Sequence, residues 1–560
     1  MDLSKKAFSR RFAALKEDRQ PWEAAWKDIQ KYIMPTRGCF DDNRPGDNIA
    51  IDHKTMIDGE PLDAALVLAS GMMSGLTSPA MPWFRLGVAD PELNEYQPVR
   101  AWSDQVCERM MSVFAKSNIY DALYNCYEEI GPFGTAAMAL FEDYTNVIRA
   151  AWYTCGEYYL APDEHGRIRT FARLFYMTVE NMIAKFGREN VSDNVRRMFD
   201  ENHLYDLVRV CHLIEPNDGR DPQRKDNQNM PFRSVYWEEA GDADKVLLIS
   251  GFEQCPVMAP RWGVRTMSDA YGRGAPGWRA LGDSKTLQAM NREELKGLAK
   301  LIDPPLQAPA NSKGAAEVIN ALPGGLSYYG ETENARIFPL YEVKPDINAI
   351  ELGIWNRQQK INRYFYADLF KMLEQRTGPQ MTAREVAERH EEKMMVLSPV
   401  LQRIETELLD PLIERTFHIM LKAGLVPEPP EELQGMDIQV EYISVLAQAQ
   451  KMVGTANIEQ FANFAGGLVA VQPEILDKID LDEMIEEYGE RTGVSAKIIR
   501  DEETVRKIRQ ERMKQQQMQQ AMDQAGQIVQ GAKVLSEIKT EEPNALTALL
   551  GSTGPGGGIA

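Results

Sequence analysis

Two helix-forming segments that flank a stretch rich in proline and glycine constrain the fold of this chain more than any other feature. The first predicted helix, 283–302, begins on an aspartate, which often caps helices, and ends before two consecutive prolines, which disfavour helical geometry. The second, 346–374, also begins on an aspartate and stops near a Gly-Pro pair. The sequence therefore predicts a long helical hairpin around the excursion 303–345.

The second predicted helix has one apolar face. Its apolar residues follow the i, i+3, i+4, i+7 spacing of an amphipathic helix, with Gln358 interrupting the stripe. The apolar positions are Ile347, Ile350, Ile354, Ile361, Phe365, Leu369 and Met372. The other faces of both helices carry acids and bases in similar numbers. We therefore expect a pair that packs on one side and meets water or a polar partner on the other.

Chain length and net charge restrict the classes of function. At 560 residues the chain exceeds the size at which one hydrophobic core keeps growing, so two or more modules are expected. A formal net charge of -20 argues against a protein that grips nucleic acid by broad phosphate neutralisation, which needs a basic surface. It does not exclude a channel through which nucleic acid slides without adhering.

The cysteines and the hydrophobic segments predict a soluble protein with reduced thiols. The six cysteines are scattered, with no Cys-x-x-Cys pair and no metal-finger spacing to histidine. Reduced thiols in a cytosolic environment are expected, and no metal site. The first residues lead into an amphipathic helix and lack the apolar core of a signal peptide. The most apolar segment, 62–76, contains Asp63 and is too short to cross a membrane.

Helices are predicted for most of the first 130 residues. Residues 3–33 read as two helices joined at Pro21, because proline suits the first turn of a new helix. A further helix begins at Asp58-Gly59-Glu60-Pro61 and is stopped by two prolines near residue 80. The next helical region spans 99–129 and gives way to Gly131-Pro132.

Between residues 135 and 262 the pattern changes to short β-prone runs, which indicates an α+β module. Turn-forming sequences at 163–166 and 239–242 predict hairpins, and a short helix is expected at 179–186. The predicted strands are 136–141, 152–160, 167–175, 204–213, 233–236 and 245–249. The glycine-dense segment 271–278 is interpreted as a flexible linker that leads to the hairpin.

The remainder of the chain is predicted to be mainly helical. Thr382 and Glu385 form a capping box at the start of a helix that Pro399 bends or breaks, Asp410-Pro411 restarts and Gly424 ends. Residues 441–538 are expected to be helical almost throughout. The glycine-rich tail 539–560 is predicted to be disordered.

No residue pattern identifies a catalytic, nucleotide or metal site. Gly272 to Gly277 matches the dinucleotide-binding glycine pattern, but Pro276 lies inside it and no βαβ unit surrounds it, so a linker is favoured. His390-Glu391-Glu392 lacks the second histidine of a metalloprotease helix, and no phosphate loop or Gly-x-Ser-x-Gly elbow occurs. Neighbouring acids point in different directions and are interpreted as solvated surface rather than glycosidase or nuclease sites. These acidic pairs are Asp41-Asp42, Glu128-Glu129 and Glu238-Glu239.

A small basic and polar junction follows the second predicted helix. It contains Lys371, Arg376, Gln380 and the loop 377–381. One interpretation is a turn whose cations interact with the carbonyl end of the helix, and the residues alone favour it. The other is a loop that is presented into a lumen, where it touches phosphates.

Several motifs resemble those of portal proteins, the head-to-tail connectors of short-tailed, podovirus-type bacteriophages. They occur in the family's order over about residues 5–425, so no single short motif carries the resemblance. The motifs are LASGMMSGLTSPA at 68–80 with Trp83-Phe84, FGTAA at 133–137, YGRG at 271–274 with ALGD at 280–283, DPP at 303–305, MTAREV at 381–386, LSPV at 397–400 and ELLDPLI at 407–413.

The resemblance implies a ring, usually of twelve copies, at one vertex of the capsid, with the exact subunit number left open. It implies an α+β, mainly α, portal fold. The implied segments are a wing (1–282), a first stem helix (283–303), a clip (304–345), a second stem helix (346–375), a tunnel loop (376–382), a long kinked helix returning to the wing (383–425), a helical crown (426–538) and a disordered tail (539–560).

The resemblance also implies the partners. Double-stranded DNA would pass through the channel, and the clip would bind the terminase large subunit first and the tail adaptor later. Major capsid and scaffolding proteins would surround the ring, internal core or ejection proteins could meet the crown, and no membrane or cofactor is expected. The protein would lie at the portal vertex of the virion, and in the host cytoplasm during assembly. The motor ATPase belongs to the terminase, which agrees with the missing phosphate loop.

The resemblance implies two sets of site residues. The candidates for the DNA-facing channel are Lys371, Arg376, Gln380, Met381, Lys296 and Lys300. The candidates for the terminase and adaptor docking clip are Asn311, Lys313, Glu317, Tyr328, Tyr329 and Glu331. The alternative function is another oligomeric virion or adaptor protein without a DNA-translocating channel, and an enzyme ranks third. Ring size and lumen width would separate the first two.

Overall fold

The chain divides into two units, Met1–Ala456 and Asn457–Ala560. The structure, a computed structural model, describes residues 4–40, 56–88, 90, 93–94, 96–224, 226–241, 245–302, 306–307, 338–339, 346–374, 397–433, 438–443, 461–462, 464–466, 479–492 and 505–519. Helices and antiparallel sheets are mixed in the first unit, as the α+β class predicts.

The first helix, α1 (Lys5–Tyr32), is continuous, so the prediction of two helices joined at Pro21 is wrong. Ser4 caps it by accepting a hydrogen bond from the Ala7 amide. Pro21 lies inside the helix, where it removes one backbone donor. One buried stripe runs through both halves of the helix, and this packing holds the helix together across the proline. The stripe is Phe8, Phe12, Leu15, Trp22, Trp26 and Ile29.

The next three helices pack together in the main core. Helix α2 (Glu60–Leu76) begins as predicted, with proline in its first turn, and leads to strand β1 (Phe84–Val88). The predicted region 99–129 is two helices, α3 (Gln97–Lys116) and α4 (Ile119–Phe133). Helix α4 continues through the predicted Gly-Pro stop and ends one residue later, at a left-handed glycine.

Two antiparallel sheets follow. The strands are β2 (Ala137–Asp143), β3 (Val147–Tyr153), β4 (Tyr158–Pro162), β5 (Ile168–Thr178), β6 (Leu207–Pro216), β7 (Phe232–Glu238), β8 (Leu248–Phe252) and β9 (Val257–Met258). The three-stranded sheet has the order β3-β2-β9 and the five-stranded sheet the order β4-β5-β6-β7-β8. The predicted strand 152–160 is therefore the end of one strand and the start of another.

Helices cover both faces of the five-stranded sheet. Phe8 and Phe12 of α1 pack on Trp237 of β7, on one face. On the other face lie α5 (Val179–Phe186), which has the predicted bounds, and α6 (Asp193–Asp200), which the sequence did not predict. Both faces of the sheet are thus buried. Its strands therefore do not alternate polar and apolar residues, as strands with one exposed face do.

The segment 271–278 is packed core rather than the flexible linker that was predicted. The Gly272 amide donates a hydrogen bond to Thr135 Oγ1 at 2.7 Å, and a Cβ built on Gly272 would lie 1.9 Å from the Gly134 carbonyl oxygen. A Cβ on Gly277 would lie 2.2 Å from the Pro132 carbonyl oxygen. These glycines allow two backbone segments to touch.

The predicted hairpin helices are present with changed bounds. The first, α7 (Pro276–Ile302), starts seven residues before the predicted Asp283, because Pro276, Gly277 and Ala280 pack in the core. The second is two helices, α8 (Ile347–Tyr364) and α9 (Ala367–Glu374), so the prediction of one helix is wrong. Tyr366 has a φ of +56°, and its ring stacks on Trp262 with centroids 6.4 Å apart. The break lets buried residues on both sides of it reach the core.

The chain after the hairpin returns to the sheets. Residues 397–404 are helical, and a π-helical turn (Glu405–Leu409) leads into α10 (Asp410–Lys422), which ends before left-handed Gly424 as predicted. Strand β12 (Ile438–Tyr442) then pairs with β1, which corrects the prediction of helix from residue 441. Thr382, Glu385 and the acidic residues near His390 lie outside the described residues.

The second unit contains α11 (Leu481–Thr492) and a helical segment 505–519, where helix was predicted. Arg509 forms hydrogen bonds with both carboxylate oxygens of Asp482. None of the described helices in either unit is long and apolar enough to cross a membrane. All six cysteines are free thiols, as predicted.

Candidate functional site

Helices α7 and α8 form an antiparallel pair. Asp283 near the start of α7 binds Arg357 in the second half of α8. Further along α7, a Cβ built on Gly353 of α8 would lie 2.7 Å from the Met290 side chain. The same register continues into a two-residue bridge between β10 (Leu306–Gln307) and β11 (Phe338–Pro339). The described residues therefore form the two legs of the predicted hairpin and one pair of strands beyond them.

Hydrogen bonds from Gln288, Asn291 and Gln358 to residues 57–58 hold one end of this pair. We call these residues the polar clamp, and the end of the pair that they hold its base. Gln288 is 1% exposed, and its Oε1 accepts hydrogen bonds from the Ile57 and Asp58 amides at 2.7 and 3.0 Å. Its Nε2 donates to the Asp58 carbonyl oxygen at 2.7 Å. The Asp58 carboxylate accepts from Asn291 and from Gln358, at 3.1 and 3.0 Å. Both legs of the hairpin are thus hydrogen-bonded to the loop that precedes α2.

Two further contacts attach the hairpin to the helices around it. Asn362 of α8 donates to the carboxylate of Glu60, the first residue of α2. Lys285 of α7 forms an ion pair with Asp28 of α1 at 2.6 Å. Sequence reasoning missed these clamp residues. One feature of the sequence could have indicated them: Gln358 is a polar residue that interrupts the apolar stripe. In the structure Gln358 donates a hydrogen bond to Asp58.

The distal halves of α7 and α8 expose large apolar side chains. Five of them are between 47% and 82% exposed, although each lies on a helix that is otherwise packed at its base. We call them the distal apolar patch: Leu295, Leu301, Ile302, Leu352 and Trp355. Clusters of exposed apolar side chains on a soluble protein mark surfaces that contact another molecule.

Two of the predicted DNA-facing residues lie on this distal half. The Lys296 side chain is 58% exposed and forms an ion pair with Glu293 at 2.7 Å, one turn away. The hydrogen bond from Lys296 lowers the pKa of Glu293. Lys300 is also exposed. The structure thus presents both lysines to solvent and gives one of them an acidic partner.

The other predicted site residues lie outside what the structure describes. Lys371 is in α9, but its side chain is not among the described atoms. The remaining channel candidates, Arg376, Gln380 and Met381, lie outside the described residues. So do all the clip candidates, which are Asn311, Lys313, Glu317, Tyr328, Tyr329 and Glu331.

The acidic pairs that were interpreted as solvated are largely buried. Glu128 and Glu129 are 8% and 3% exposed, and Glu238 is 7% exposed. Arg37 forms an ion pair with Glu128, and the Ser192 amide donates to Glu238 at 2.8 Å. Glu239 is solvated as predicted, and Asp41-Asp42 lies outside the described residues.

Glu129 is held by neutral donors. Its carboxylate accepts from Thr154 Oγ1 at 2.6 Å and from the Cys155 amide at 3.0 Å. Burial raises its pKa to about 7. These contacts connect α4 to the end of β3, which is a structural role. Within the described ranges, no group of three or more His, Cys, Asp or Glu side chains could hold a metal ion.

Buried arginines attach the returning helix to the sheets. Arg261, 3% exposed, binds both oxygens of Glu407 in the π-helical turn, and also donates to the Gly166 and Asp269 carbonyl oxygens. Arg415 of α10 donates to the Leu140 carbonyl oxygen at 3.0 Å. The helix that follows the hairpin is therefore fixed to the same body that holds the hairpin's base.

Comparison with known proteins assigns the family. A model of the family described as bacteriophage head to tail connecting protein matches residues 5–499. The chain belongs to this family of bacteriophage connector proteins, which confirms the resemblance found in its motifs.

Two portal proteins are similar to the chain over nearly its whole length. It is 41% identical over 557 residues to the portal protein of Salmonella phage epsilon15, and the match covers 99% of each chain. It is 40% identical over 543 residues to the probable portal protein of Bordetella phage BPP-1, and the match covers 96% of each chain.

Proposed function

We propose that the chain is a portal subunit that assembles into a ring, about a dozen copies in size, at one vertex of the capsid. The ring is the conduit through which double-stranded DNA is packaged and later ejected. Residues 1–282 form its wing, 283–303 and 346–375 its stem, and 304–345 its clip. Residues 376–382 form the tunnel loop, 383–425 return to the wing, and 426–538 form the crown.

The observation that carries this proposal is the α7–α8 pair, clamped at its base and apolar at its distal half. A helix pair that lines a channel has to keep its orientation while DNA is moved past it. The polar clamp, Asp58 with Gln288 and Gln358, restrains both helices at one place. The distal apolar patch needs a partner, and a neighbouring copy of the same helix pair supplies apolar area in every subunit of a ring. Membership of the connector family supports the same conclusion.

The charge of the stem suits DNA that moves in both directions. Each phosphate that a protein neutralises adds salt-dependent affinity, so a strongly basic channel would hold DNA in place. Lys296 is paired with Glu293, which weakens its attraction for phosphate. A ring repeats every such residue in each subunit, so a few lysines are sufficient to guide DNA.

The clip residues dock the packaging and tail proteins in this proposal. The terminase large subunit binds first and a tail adaptor replaces it when the head is full. The candidates remain Asn311, Lys313, Glu317, Tyr328, Tyr329 and Glu331. The bridge between β10 and β11 brings the two ends of this segment together at the tip of the hairpin, which supports an exposed docking position.

The assembly state of the purified chain tests the proposal. Native mass spectrometry and negative-stain images of one sample should give closed rings of about a dozen subunits, with a lumen wider than duplex DNA. Rings without such a lumen would favour the alternative, an oligomeric virion or adaptor protein that does not translocate DNA. A chain that stays monomeric at several salt concentrations, even with its scaffolding protein present, would contradict both.

The channel residues are tested separately. Replacing both Lys371 and Arg376 by Ala should lower DNA packaging or retention, because a ring of positive charge is lost at the lumen. A matched control replaces Arg188 and Arg220, which are exposed arginines of the sheet module, by Ala. Packaging and retention at wild-type level in the channel variant would remove these two residues from the proposal and leave the ring unaffected.

A further inference from the structure

The π-helical turn before α10 brings two acidic residues, Glu405 and Asp410, onto the same side of the helix. The Asp410 amide donates to the Glu405 carbonyl oxygen, and this i to i+5 hydrogen bond makes the two residues neighbours on successive turns. Both side chains are partly buried. Burial and the charge of Asp410 raise the pKa of Glu405 to about 7, and burial also raises that of Asp410. Glu405 therefore keeps its proton up to near neutral pH.

A tyrosine connects this pair to strand β12. The Tyr442 hydroxyl donates a hydrogen bond to Asp410 Oδ1. Tyr442 is the last residue of β12 and lies opposite Phe84 of β1, and the next amide, that of Ile443, donates to the Trp83 carbonyl oxygen at 3.1 Å. The sheet formed by β1 and β12 has two strands. Phe84, Leu86 and Val88 of β1 are buried in the core, whereas Val440 and Tyr442 of β12 are only partly buried against it. Contacts such as the one from Tyr442 to Asp410 therefore help to hold β12 in place.

Among the described residues, four further charged or titratable groups near the pair have partners of their own. Tyr127 of α4 lies near Tyr442 and hydrogen-bonds with Thr77 Oγ1 at 3.1 Å. Arg85 and Glu441 are directly opposed on the other face of the β1–β12 ladder. Glu407 in the same turn is bound by Arg261 and Arg403.

We propose that Glu405, Asp410 and Tyr442 form a proton-dependent latch that holds β12 on β1. With one proton on the carboxylate pair, Tyr442 donates to a singly charged acceptor and the strand stays attached. When that proton leaves, two negative charges face each other in a partly buried site, and detachment of β12 relieves them by exposing both to water. Strand β12 is the last described strand of the first unit.

The sign of the pH effect follows from the raised pKa of Glu405. A group whose pKa is raised in the closed state stabilises that state below its open-state pKa, and this stabilisation is lost as the pH rises through the closed-state value of about 7. Glu405 is partly exposed, which reduces the effect. The opening equilibrium of β12 should therefore rise at most about tenfold between pH 6 and pH 8.

Hydrogen exchange of the full-length protein measures this opening. After correction for intrinsic exchange rates, protection of residues 438–443 should fall by up to about tenfold from pH 6 to pH 8. Protection of β6, in the middle of the five-stranded sheet, should not change. Glu405→Gln, which mimics the protonated acid, should keep the pH 6 protection at pH 8. The control Glu414→Gln changes an exposed acid on α10 and should behave like the wild type.

Two results would overturn the latch. One is wild-type protection of β12 that does not depend on pH, and the other is equal pH dependence in the wild type and in Glu405→Gln. If Glu405→Gln fails to fold, the conservative variant Tyr442→Phe gives the second measurement. It should lower protection of β12 at pH 6, because it removes the hydroxyl and keeps the ring. Unchanged protection in Tyr442→Phe would also contradict the latch.

Discussion

Arg19 shows how one residue can attach a helix to a sheet. It lies 3% exposed on α1, and its guanidinium group donates to the carbonyl oxygens of Gly156 and Tyr158, the latter at 2.9 Å. The same group binds Glu23 and stacks over the Tyr159 ring at 3.8 Å. A planar fork with several donors can make all these contacts at once, whereas an ammonium group cannot.

We expect Arg19→Lys to destabilise the first unit by about 2–4 kcal/mol, because buried carbonyl groups lose their charged donor. Chemical denaturation followed by tryptophan fluorescence would measure it, with exposed Arg11→Lys on the same helix as the control. A loss no larger than that of the control would show that lysine and water replace these contacts.

Glu129 should contribute to the pH dependence of stability. Its pKa is raised to about 7 by burial, so the stability it contributes is complete below its unfolded pKa and is lost as the pH rises towards 7. We expect the thermal midpoint of the first unit to fall between pH 5 and pH 8, and to fall less in Glu129→Gln. Glu164→Gln, at a site 86% exposed, is the control. An identical fall in the wild type and in Glu129→Gln would exclude this role.

At the scale of elements, helices α2 and α9 approach each other at a glycine. A Cβ built on Gly71 would lie 2.1 Å from Cδ1 of Phe370, a ring that is 6% exposed. The break at Tyr366 turns α9 so that Phe370 reaches this position. The small residue on one helix and the ring on the other are therefore parts of one contact.

Gly71→Ala should destabilise the first unit by about 1–3 kcal/mol, because the buried Phe370 ring must move. The matched control is Gly282→Ala on α7, where a Cβ would meet no atom within 4 Å. That change should stabilise helix α7 by about 0.5–1 kcal/mol, since alanine loses less backbone entropy. Thermal unfolding of both variants measures the difference, and equal shifts would contradict the packing argument.

At the scale of the whole molecule, the distal apolar patch is the surface on which the proposed ring depends most. Leu352 and Trp355 are 58% and 54% exposed, three residues apart on α8. Burial of apolar area drives most association between protein subunits. A charge placed there would have to be desolvated in every interface of a ring.

We expect the double variant Leu352→Glu/Trp355→Glu to remain folded and to lose assembly into rings. Circular dichroism would check the fold, and native mass spectrometry the subunit number. Tyr205→Glu, at another exposed aromatic residue, is the control and should assemble like the wild type. Rings that form at the normal concentration in the double variant would move the subunit interface elsewhere.

Capping residues, prolines and apolar spacing predicted the helices whose ends depend on interactions between neighbouring residues. Asp346 caps α8 by accepting from the Ala349 amide, Pro61 lies in the first turn of α2, and α5 has its predicted bounds. Of the predicted channel residues, Lys296 and Lys300 lie exposed on the hairpin, and their contact with DNA stays a prediction. Arg376 and the clip candidates lie outside the described residues. The clamp was not predicted, because Asp58 is more than 200 residues from Gln288 in the chain.

The sequence by itself determined the mixed class of the fold, the hairpin, the cap of its second helix and the family to which the chain belongs, since each of these depends on local spacing or on motifs in order. The tertiary structure decided that α1 continues through Pro21, that the helix breaks at Tyr366 and that Gly272 is core. It also decided that Glu129 is buried. In each case contacts between distant segments outweigh a local preference of a few kcal/mol, and those contacts exist only once the chain has folded.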